Sequence, residues 1–195
     1  MMSVTADMPP SPVEDAFAIP QRADARRNRA RILSAAAGVF AQSGLGATMP
    51  EIASAAGLGK GSLYRNFATK SDLVDAVIAS EGAEIAQTIA GMTAASSPPA
   101  DLTTAVQALF SALAENSLLA DALADGGATA FGDVLAGLWT LAERGKSVHS
   151  VRTDLTLFDL RVVLCGAVRQ LRAMSDEDPA HWQRAADLVV HAFAP

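Results

Sequence analysis

The stretch "GLGKGSLYRNF", residues 57–67, holds the residues of this chain best suited to bind a phosphate group. A nucleotide-binding loop of the G-x-x-x-x-G-K-[ST] type follows a strand, so that several backbone N–H groups converge on the phosphates. Here Gly61 follows Lys60 where Ser or Thr is required, and Ser54 stands five residues before Gly59 where the first glycine belongs. The preceding segment also has helical spacing. The pattern therefore argues against a nucleotide-binding enzyme.

The neighbouring residues predict a helix-turn-helix preceded by a support helix. Apolar residues recur at helical spacing from Asp24 to Ser43. Thr48 and Glu51, three residues apart, form a capping box that begins a short helix, and Gly57 ends it. A second short helix is predicted over residues 60–67. In DNA-binding proteins of this plan the second helix lies in the major groove.

The second short helix has a side suited to DNA. Leu63 and Phe67, four residues apart, form its predicted buried side. The remaining surface is basic, aromatic or small and has no acidic residue: Lys60, Gly61, Tyr64 and Arg65. Gly61 has no side chain, so the start of the helix can approach base edges closely. The alternative is an ordinary solvated helix surface.

Charge is distributed unevenly along the chain. The net charge is −6, but residues 21–70 hold eight basic residues and two acidic ones, whereas residues 71–195 hold seven basic and 16 acidic ones. Such a molecule can dock its basic end on a polyanion while its acidic end avoids it. Five arginines precede or open the first helix: Arg22, Arg26, Arg27, Arg29 and Arg31. They predict an arm or a backbone-tracking surface, with a solvated basic face as the alternative.

The predicted fold class is all-α, with about nine helices and no strand. Residues 1–20 contain four prolines and are expected to form a disordered tail, residues 21–70 the DNA-binding domain, and residues 71–195 a helical body. Ser71 is expected to cap the fourth helix. The helices predicted beyond the first three are Ser71–Thr93, Leu102–Glu115, Ser117–Ala124, Thr129–Arg144, Thr156–Met174 and Pro179–Phe193.

Several functional classes find no support in the sequence. There is no secretory signal and no apolar run of the roughly 20 residues needed to cross a bilayer, so we expect a cytoplasmic protein. The single cysteine excludes an intramolecular disulfide framework. The three histidines are poorly spaced for a metal, and no catalytic constellation stands out. We expect no enzyme activity, no metal and no cofactor.

The segment "ARILSAAAGVFAQSGLGATMPEIASAAGLGKGSLYRNFATKSDLVDAVI" resembles the N-terminal domain of the TetR/AcrR family of transcriptional regulators. The stretch "VRTDLTLFDLRVVLCGAVR" is similar to a subset of that family with an R-x-D-[LV]-T-x-x-D-L pattern. The resemblance covers about 50 residues of the head, and the length of the helical body also fits the family. It implies a DNA-binding head and a regulatory, dimerising body.

The resemblance also implies roles for individual residues. Lys60, Gly61 and Tyr64 fall where family members contact bases or the adjoining backbone. Positions that often touch phosphates are occupied by Thr48, Ser62, Arg65, Asn66 and Lys70. The chain departs from the family where Gly59 replaces a usual Ser or Thr, and where Arg65 and Asn66 replace a usual aromatic residue and a histidine. The operator sequence therefore does not carry over.

The last two helices are the predicted dimer surface. Both are apolar, some of their residues must belong to the core, and the family resemblance favours a four-helix interface between two subunits. The candidates are Leu160, Val163, Leu164, Ala167, Val168, Leu171, Trp182, Ala186, Val189, Val190 and Phe193.

A ligand pocket in the body is implied by the same resemblance. Candidates on apolar helical faces are Met92, Phe110, Phe131, Leu135, Trp139 and Cys165, with plain core packing as the alternative for each. The absence of obvious charges among them favours an apolar effector.

The sequence thus predicts a ligand-responsive repressor that binds a palindromic operator as a homodimer and is released by a small molecule. Two alternatives stay open. One is a DNA-binding architectural or auxiliary regulator without an effector. The other is an enzyme built on the helical body.

Overall fold

The computed structural model describes residues 12–94, 102–125, 131–176 and 178–195, with side chains from Asp24 onward. These residues form helices joined by short turns, and no strand occurs among them, which confirms the all-α fold class. The α-helices are α1 Pro12–Ser43, α2 Met49–Ala55, α3 Lys60–Asn66, α4 Lys70–Ala94, α5 Leu102–Glu115, α6 Ser117–Ala124, α7 Gly132–Ser147, α8 Leu157–Ala173 and α9 Pro179–Phe193. A short 3-10 turn, Gly44–Gly46, joins α1 to α2.

The buried apolar side chains form two separate cores. The head core is built from α1, α2, α3 and the start of α4, and contains Ile32, Ile52 and Leu63. The body core is built from α4 to α9. Helix α4 contributes to both, with Leu73 in the head core and Ile89 in the body core. Helix α4 therefore connects the head core to the body core.

The body core is centred on an aromatic pair between α5 and α9. Phe110 and Trp182 pack edge to face with ring centroids 6.3 Å apart, and both side chains are buried. The indole N–H of Trp182 donates a hydrogen bond of 2.9 Å to the carbonyl oxygen of Asp176, so its one polar atom is satisfied. None of the helices in the described part of the chain is long and apolar enough to cross a membrane.

Reciprocal capping boxes begin α2, α4 and α8. The predicted boxes at Thr48 and Thr156 are present. The prediction that Ser71 caps α4 was wrong, because Thr69 does so. The Thr69 N–H donates to a carboxylate oxygen of Asp72 at 2.9 Å, and the Asp72 N–H donates to the Thr69 hydroxyl at 3.1 Å. Ser71 has Val74 three residues later and so cannot form this reciprocal pair.

Two helices differ from their predicted bounds. Helix α1 begins at Pro12 rather than Asp24, and residues 1–11 of the predicted tail lie outside the described residues. Most side chains between Asp24 and Arg31 are exposed, so apolar spacing reveals only the part of α1 that packs in the head core. Helix α7 begins at Gly132 and ends at Ser147, later than predicted at both ends.

Gly145 permits the close turn between α7 and α8, and we expect its replacement by alanine to destabilise the fold. A Cβ there would lie 2.4 Å from Cγ2 of Val151, on the buried side of the turn. The expected loss in the free energy of unfolding is about 1–3 kcal/mol, measured by urea denaturation. Gly91→Ala is the matched control, because a Cβ at that helical position meets nothing within 4 Å. It should stabilise the protein by about 0.5–1 kcal/mol. Equal stability of both variants would show that the turn relaxes freely.

Candidate nucleic-acid interface

The turn between α2 and α3 is a tight connection made by Gly57. Its φ of +63° lies in the left-handed region that favours glycine. The N–H of Gly57 donates to the carbonyl of Ser54 at 3.0 Å, and the N–H of Leu58 donates to that of Ala53 at 2.9 Å. These bonds close the end of α2, and α3 starts directly afterwards at Lys60. The geometry is that of a helix-turn-helix.

Helix α3 presents the predicted surface to solvent. Leu63 and the following Phe67 are buried in the head core. On the other side Lys60, Gly61, Tyr64 and Arg65 are exposed, and the Tyr64 side chain has 48% of its surface free. A Cβ at Gly61 would meet only the Arg65 guanidinium, at 3.8 Å. The helix therefore offers two basic side chains and one aromatic side chain around an open glycine, which suits base edges in a groove.

Arg65 and Asn66 are tied to their own helix. The Arg65 guanidinium donates to the Ser62 hydroxyl at 2.9 Å. The Asn66 amide donates to the Ser62 carbonyl at 2.8 Å. These bonds hold both side chains in place without blocking their remaining donors. Both side chains retain N–H donors that suit phosphate oxygens.

Thr48 and Lys70 have partners inside the head. The Thr48 hydroxyl donates to the Glu51 carboxylate at 2.9 Å, and the Thr48 N–H does so at 2.7 Å. These bonds, the backbone one first, hold the pKa of Glu51 below its usual range. The Lys70 ammonium donates to the carbonyl of Leu45 in the turn after α1. Each residue thus has a structural partner in addition to the phosphate role that the sequence predicts.

The described arginines of α1 are all exposed, but they differ in their partners. Arg26 is exposed, and Arg27 forms a surface ion pair with Asp24. Arg29 and Arg31 instead contact residues at or beyond the ends of α2 and α3. The Arg22 side chain lies outside the described part of the chain. No signal in the sequence indicates these contacts, because the partners lie 25 or more residues away.

Most of the predicted dimer surface is buried within the chain itself. The residues that the structure places in the body core are Leu160, Leu164, Val168, Leu171, Trp182, Ala186, Val189 and Phe193. Val163, Ala167 and Val190 are half-buried beside them. Most of the predicted residues therefore lie on the inward strip of α8 and α9, the side that faces the body core. The sequence does not distinguish this strip from the outer one, because both carry apolar residues.

The outer strip of these helices carries a different apolar set. Phe158 and Val162, one turn apart on α8, are 72% and 52% exposed, and Leu188 on α9 is 56% exposed. Between the two helices runs a cleft of about 290 Å³. It is lined by Val163, Ala167, Gln170, Leu171, Ala185, Leu188 and Val189.

The predicted pocket residues lie in or against the body core. Phe110 and Phe131 are completely buried, Leu135 nearly so, and the others are partly buried. Burial raises the pKa of the Cys165 thiol, which keeps it protonated. The Lys146 ammonium lies 4.5 Å from the Trp139 ring centroid. Within the described chain, none of these residues lines the cleft between α8 and α9 or the clefts around α4, so their pocket role stays a prediction.

Three further clefts in the described part of the chain flank α4. One of about 400 Å³ between α4, α5 and α6 contains Glu81, Glu84 and Glu115, and a second of about 400 Å³ runs between α1 and α4. Burial, and then the neighbouring Glu84, raises the pKa of Glu81. The third, about 430 Å³, lies between α4 and α7 and is lined mainly by small residues, with Asp133 at its side. The first two clefts, which contain glutamates, are more polar than the sequence predicts for an effector site.

Comparisons with known proteins agree with this geometry. The sequence model of the bacterial regulatory proteins of the tetR family matches residues 32–77. The TetR transcription regulatory protein of Mycobacterium vanbaalenii is 30% identical, with a TM-score of 0.65, and the match covers 90% of this chain and 100% of that one. A TetR transcriptional regulator of Streptomyces coelicolor is 26% identical, with a TM-score of 0.60 and coverage of 86% and 98%. FadR of Bacillus subtilis, solved in complex with stearoyl-CoA, is 16% identical, with a TM-score of 0.56 and coverage of 82% and 96%. No curated protein matches the chain.

The chain therefore belongs to the TetR family of transcriptional regulators. The match to the mycobacterial protein extends over nearly the whole chain, and the family model falls on the helix-turn-helix head. The predicted family resemblance is confirmed, as is the all-α fold with an N-terminal helix-turn-helix.

Proposed function

We propose that this regulator is a repressor that binds a palindromic operator as a homodimer and is released by a small molecule. The observation that carries the proposal is the exposed side of α3, where Lys60, Gly61 and Tyr64 face solvent with no acidic residue among them. The rest of the molecule is acidic, so DNA is attracted to this end and repelled from the other. Operator binding is a cytoplasmic role and needs no catalytic group.

Dimerisation follows from the small footprint of one head. A single recognition helix reads only a few base pairs, and two heads on a twofold axis read half-sites about one or more DNA turns apart. The surface we assign to the second copy is the outer strip of α8 and α9, with Phe158, Val162 and Leu188 at its centre. These apolar side chains are largely exposed in the described chain, and Leu188 also lines the cleft between the two helices.

Release by an effector would act through α4. This helix joins the head core to the body core, and Leu118 of α6 also packs against the head core. Two tilts of α4 would place the two heads of a dimer at different spacings. A ligand that binds more tightly to the tilt whose spacing does not fit DNA would lower operator affinity, and its preference for that tilt sets the size of the effect. Bacillus subtilis FadR was solved with stearoyl-CoA, which supports only the capacity of this fold to hold a small molecule.

The second candidate is a DNA-binding regulator without an effector. The observation that favours it is the burial of the predicted pocket residues, with Phe110 and Phe131 fully enclosed in the core. Addition of candidate metabolites to a preformed operator complex separates the two functions. Release by one of them supports the ligand-responsive repressor.

Selection of random duplexes by the purified protein tests the proposal. We expect a palindromic consensus whose log affinity falls linearly with log salt, with a slope of about −0.9 for each phosphate neutralised. Salt-sensitive binding without a consensus would favour an architectural role. Absence of binding at low salt would contradict both functions.

A further inference from the structure

Arg31 of α1 is bonded to the end of α2. Its Nη2 donates a hydrogen bond of 3.0 Å to the carbonyl oxygen of Ala56, the C-terminal cap of that helix. Neighbouring carbonyls are already occupied: Ile52 accepts from the Ala56 N–H, and Ala53 accepts from the Leu58 N–H. The Arg31 guanidinium thus takes up a helix-terminal carbonyl, where the helix dipole favours a cation.

The same guanidinium lies against the turn between α2 and α3. A Cβ added at Gly57 would lie 3.3 Å from the Arg31 Nη2. Gly59, the residue that precedes α3, follows two positions later and offers no side-chain cap of its own. Arg31 therefore contacts both the end of α2 and the turn that leads into α3.

Arg29 covers the opposite end of α3. Its guanidinium carbon lies 4.4 Å from the centroid of the Phe67 ring, within the range of a cation–π contact. Phe67 is the C-terminal cap of α3, and its side chain is buried. Two arginines that lie two residues apart on α1 therefore contact the end of α2 before the turn and the residue that ends α3.

We propose that Arg29 and Arg31 are positioning residues for operator recognition, and that Arg26 and Arg27 are the residues of this basic segment that bind DNA phosphates. The inference rests on the proposed function, since it requires an operator read by α3. Arg26 is exposed and pairs with no acidic group among the described residues, and Arg27 holds only a surface ion pair with Asp24. Such a pair is weak and exchanges readily for a phosphate.

The two roles give different salt dependences. Loss of a phosphate contact weakens binding to every duplex alike and makes the salt slope about 0.9 shallower. Loss of a positioning contact weakens binding to the operator and spares binding to unrelated DNA, because the charges that face the backbone are still present. A general loss of stability would weaken binding to both duplexes alike. The ratio of operator affinity to affinity for unrelated DNA therefore distinguishes a positioning role from a loss of stability.

The test compares Arg31→Met with Arg26→Met, a matched change at an equally exposed position of the same helix that lacks the bond to Ala56. Methionine keeps the apolar stem of the side chain and removes the donors and the charge. For Arg31→Met we expect operator affinity to fall about tenfold or more, affinity for an unrelated duplex to stay within about twofold, and the salt slope to be unchanged. For Arg26→Met we expect both affinities to fall together, with a shallower slope.

A shallower slope and equal losses on both duplexes in Arg31→Met would overturn the inference. If that variant does not fold, Arg31→Lys gives the same comparison, since lysine keeps the charge for a phosphate but lacks the planar guanidinium that meets Ala56. Full operator affinity in Arg31→Lys would then overturn it. A wild-type chain with no preferred duplex would contradict the proposed function as well, whereas the results above contradict this inference alone.

Discussion

Replacement of Tyr64 by alanine is expected to lower operator affinity by at least about 100-fold while the dimer stays folded. Tyr64 is the one large aromatic side chain on the exposed side of α3, and it shares that side with Lys60 one turn before it. Its ring can cover base edges or sugars that an alanine methyl cannot reach. The charge of the protein does not change, so the salt slope should stay the same.

Fluorescence anisotropy with the selected duplex at one fixed salt concentration measures this effect. Tyr64→Phe is the matched control, because it keeps the ring and loses only the hydroxyl, and its loss should stay within about tenfold. The melting temperature and the sedimentation coefficient of both variants should equal those of the wild type. A folded Tyr64→Ala protein with normal operator affinity would show that α3 is not the recognition helix.

Replacement of Val162 by aspartate is expected to weaken the dimer by about 1000-fold or more. Val162 lies at the centre of the outer apolar strip of α8, with Phe158 one turn before it. At a twofold interface the substitution places a carboxylate in each copy of the same patch, so two unpaired charges are desolvated together. Operator affinity should fall as well, since a monomer holds a single head.

Sedimentation equilibrium across a concentration series measures the dissociation constant. Val148→Asp is the matched control: it makes the same change at a valine that is 70% exposed, but in the loop between α7 and α8. We expect it to leave the dimer intact. Leu188→Asp on α9 should act like Val162→Asp, because Leu188 is an exposed apolar residue of the same proposed dimer surface. A dimeric Val162→Asp protein would place the interface on another surface.

The two experiments together distinguish a loss of base recognition from a loss of dimerisation. Tyr64→Ala removes base contacts and keeps two heads, whereas Val162→Asp keeps each recognition surface and separates the heads. Both variants bind the operator poorly, but Tyr64→Ala should keep the salt slope of two heads, whereas Val162→Asp should show the shallower salt slope of a single head. Rescue of the second variant by a covalent link between subunits would assign its defect to assembly.

The helices and the head were largely determined by local sequence. The capping boxes at Thr48 and Thr156, the glycine turn at Gly57 and the apolar spacing of α4 to α9 all act over three or four residues. Such signals are complete within a short window, so the helix-turn-helix, the exposed side of α3 and most helices of the body could be predicted from them, although the start of α1 at Pro12 could not. The family resemblance rests on the same short stretch.

The tertiary structure decided which apolar strip of α8 and α9 faces inward. The strip with Leu160 and Leu164 fills the body core, and the strip with Phe158 and Val162 is left outside. Both strips have helical spacing, so the sequence cannot rank them. The choice depends on which strip meets α5 and α6, and that is set by packing between distant parts of the chain.

The same reason explains the arginines of α1. By composition they form one basic segment, yet Arg29 and Arg31 contact Phe67 and Ala56, which lie 38 and 25 residues further along the chain. A hydrogen bond or a ring contact across that separation cannot be predicted from the local sequence pattern. The sequence by itself determined that this head is basic and helical. Only the folded chain showed that Arg29 and Arg31 contact residues at the ends of α3 and α2.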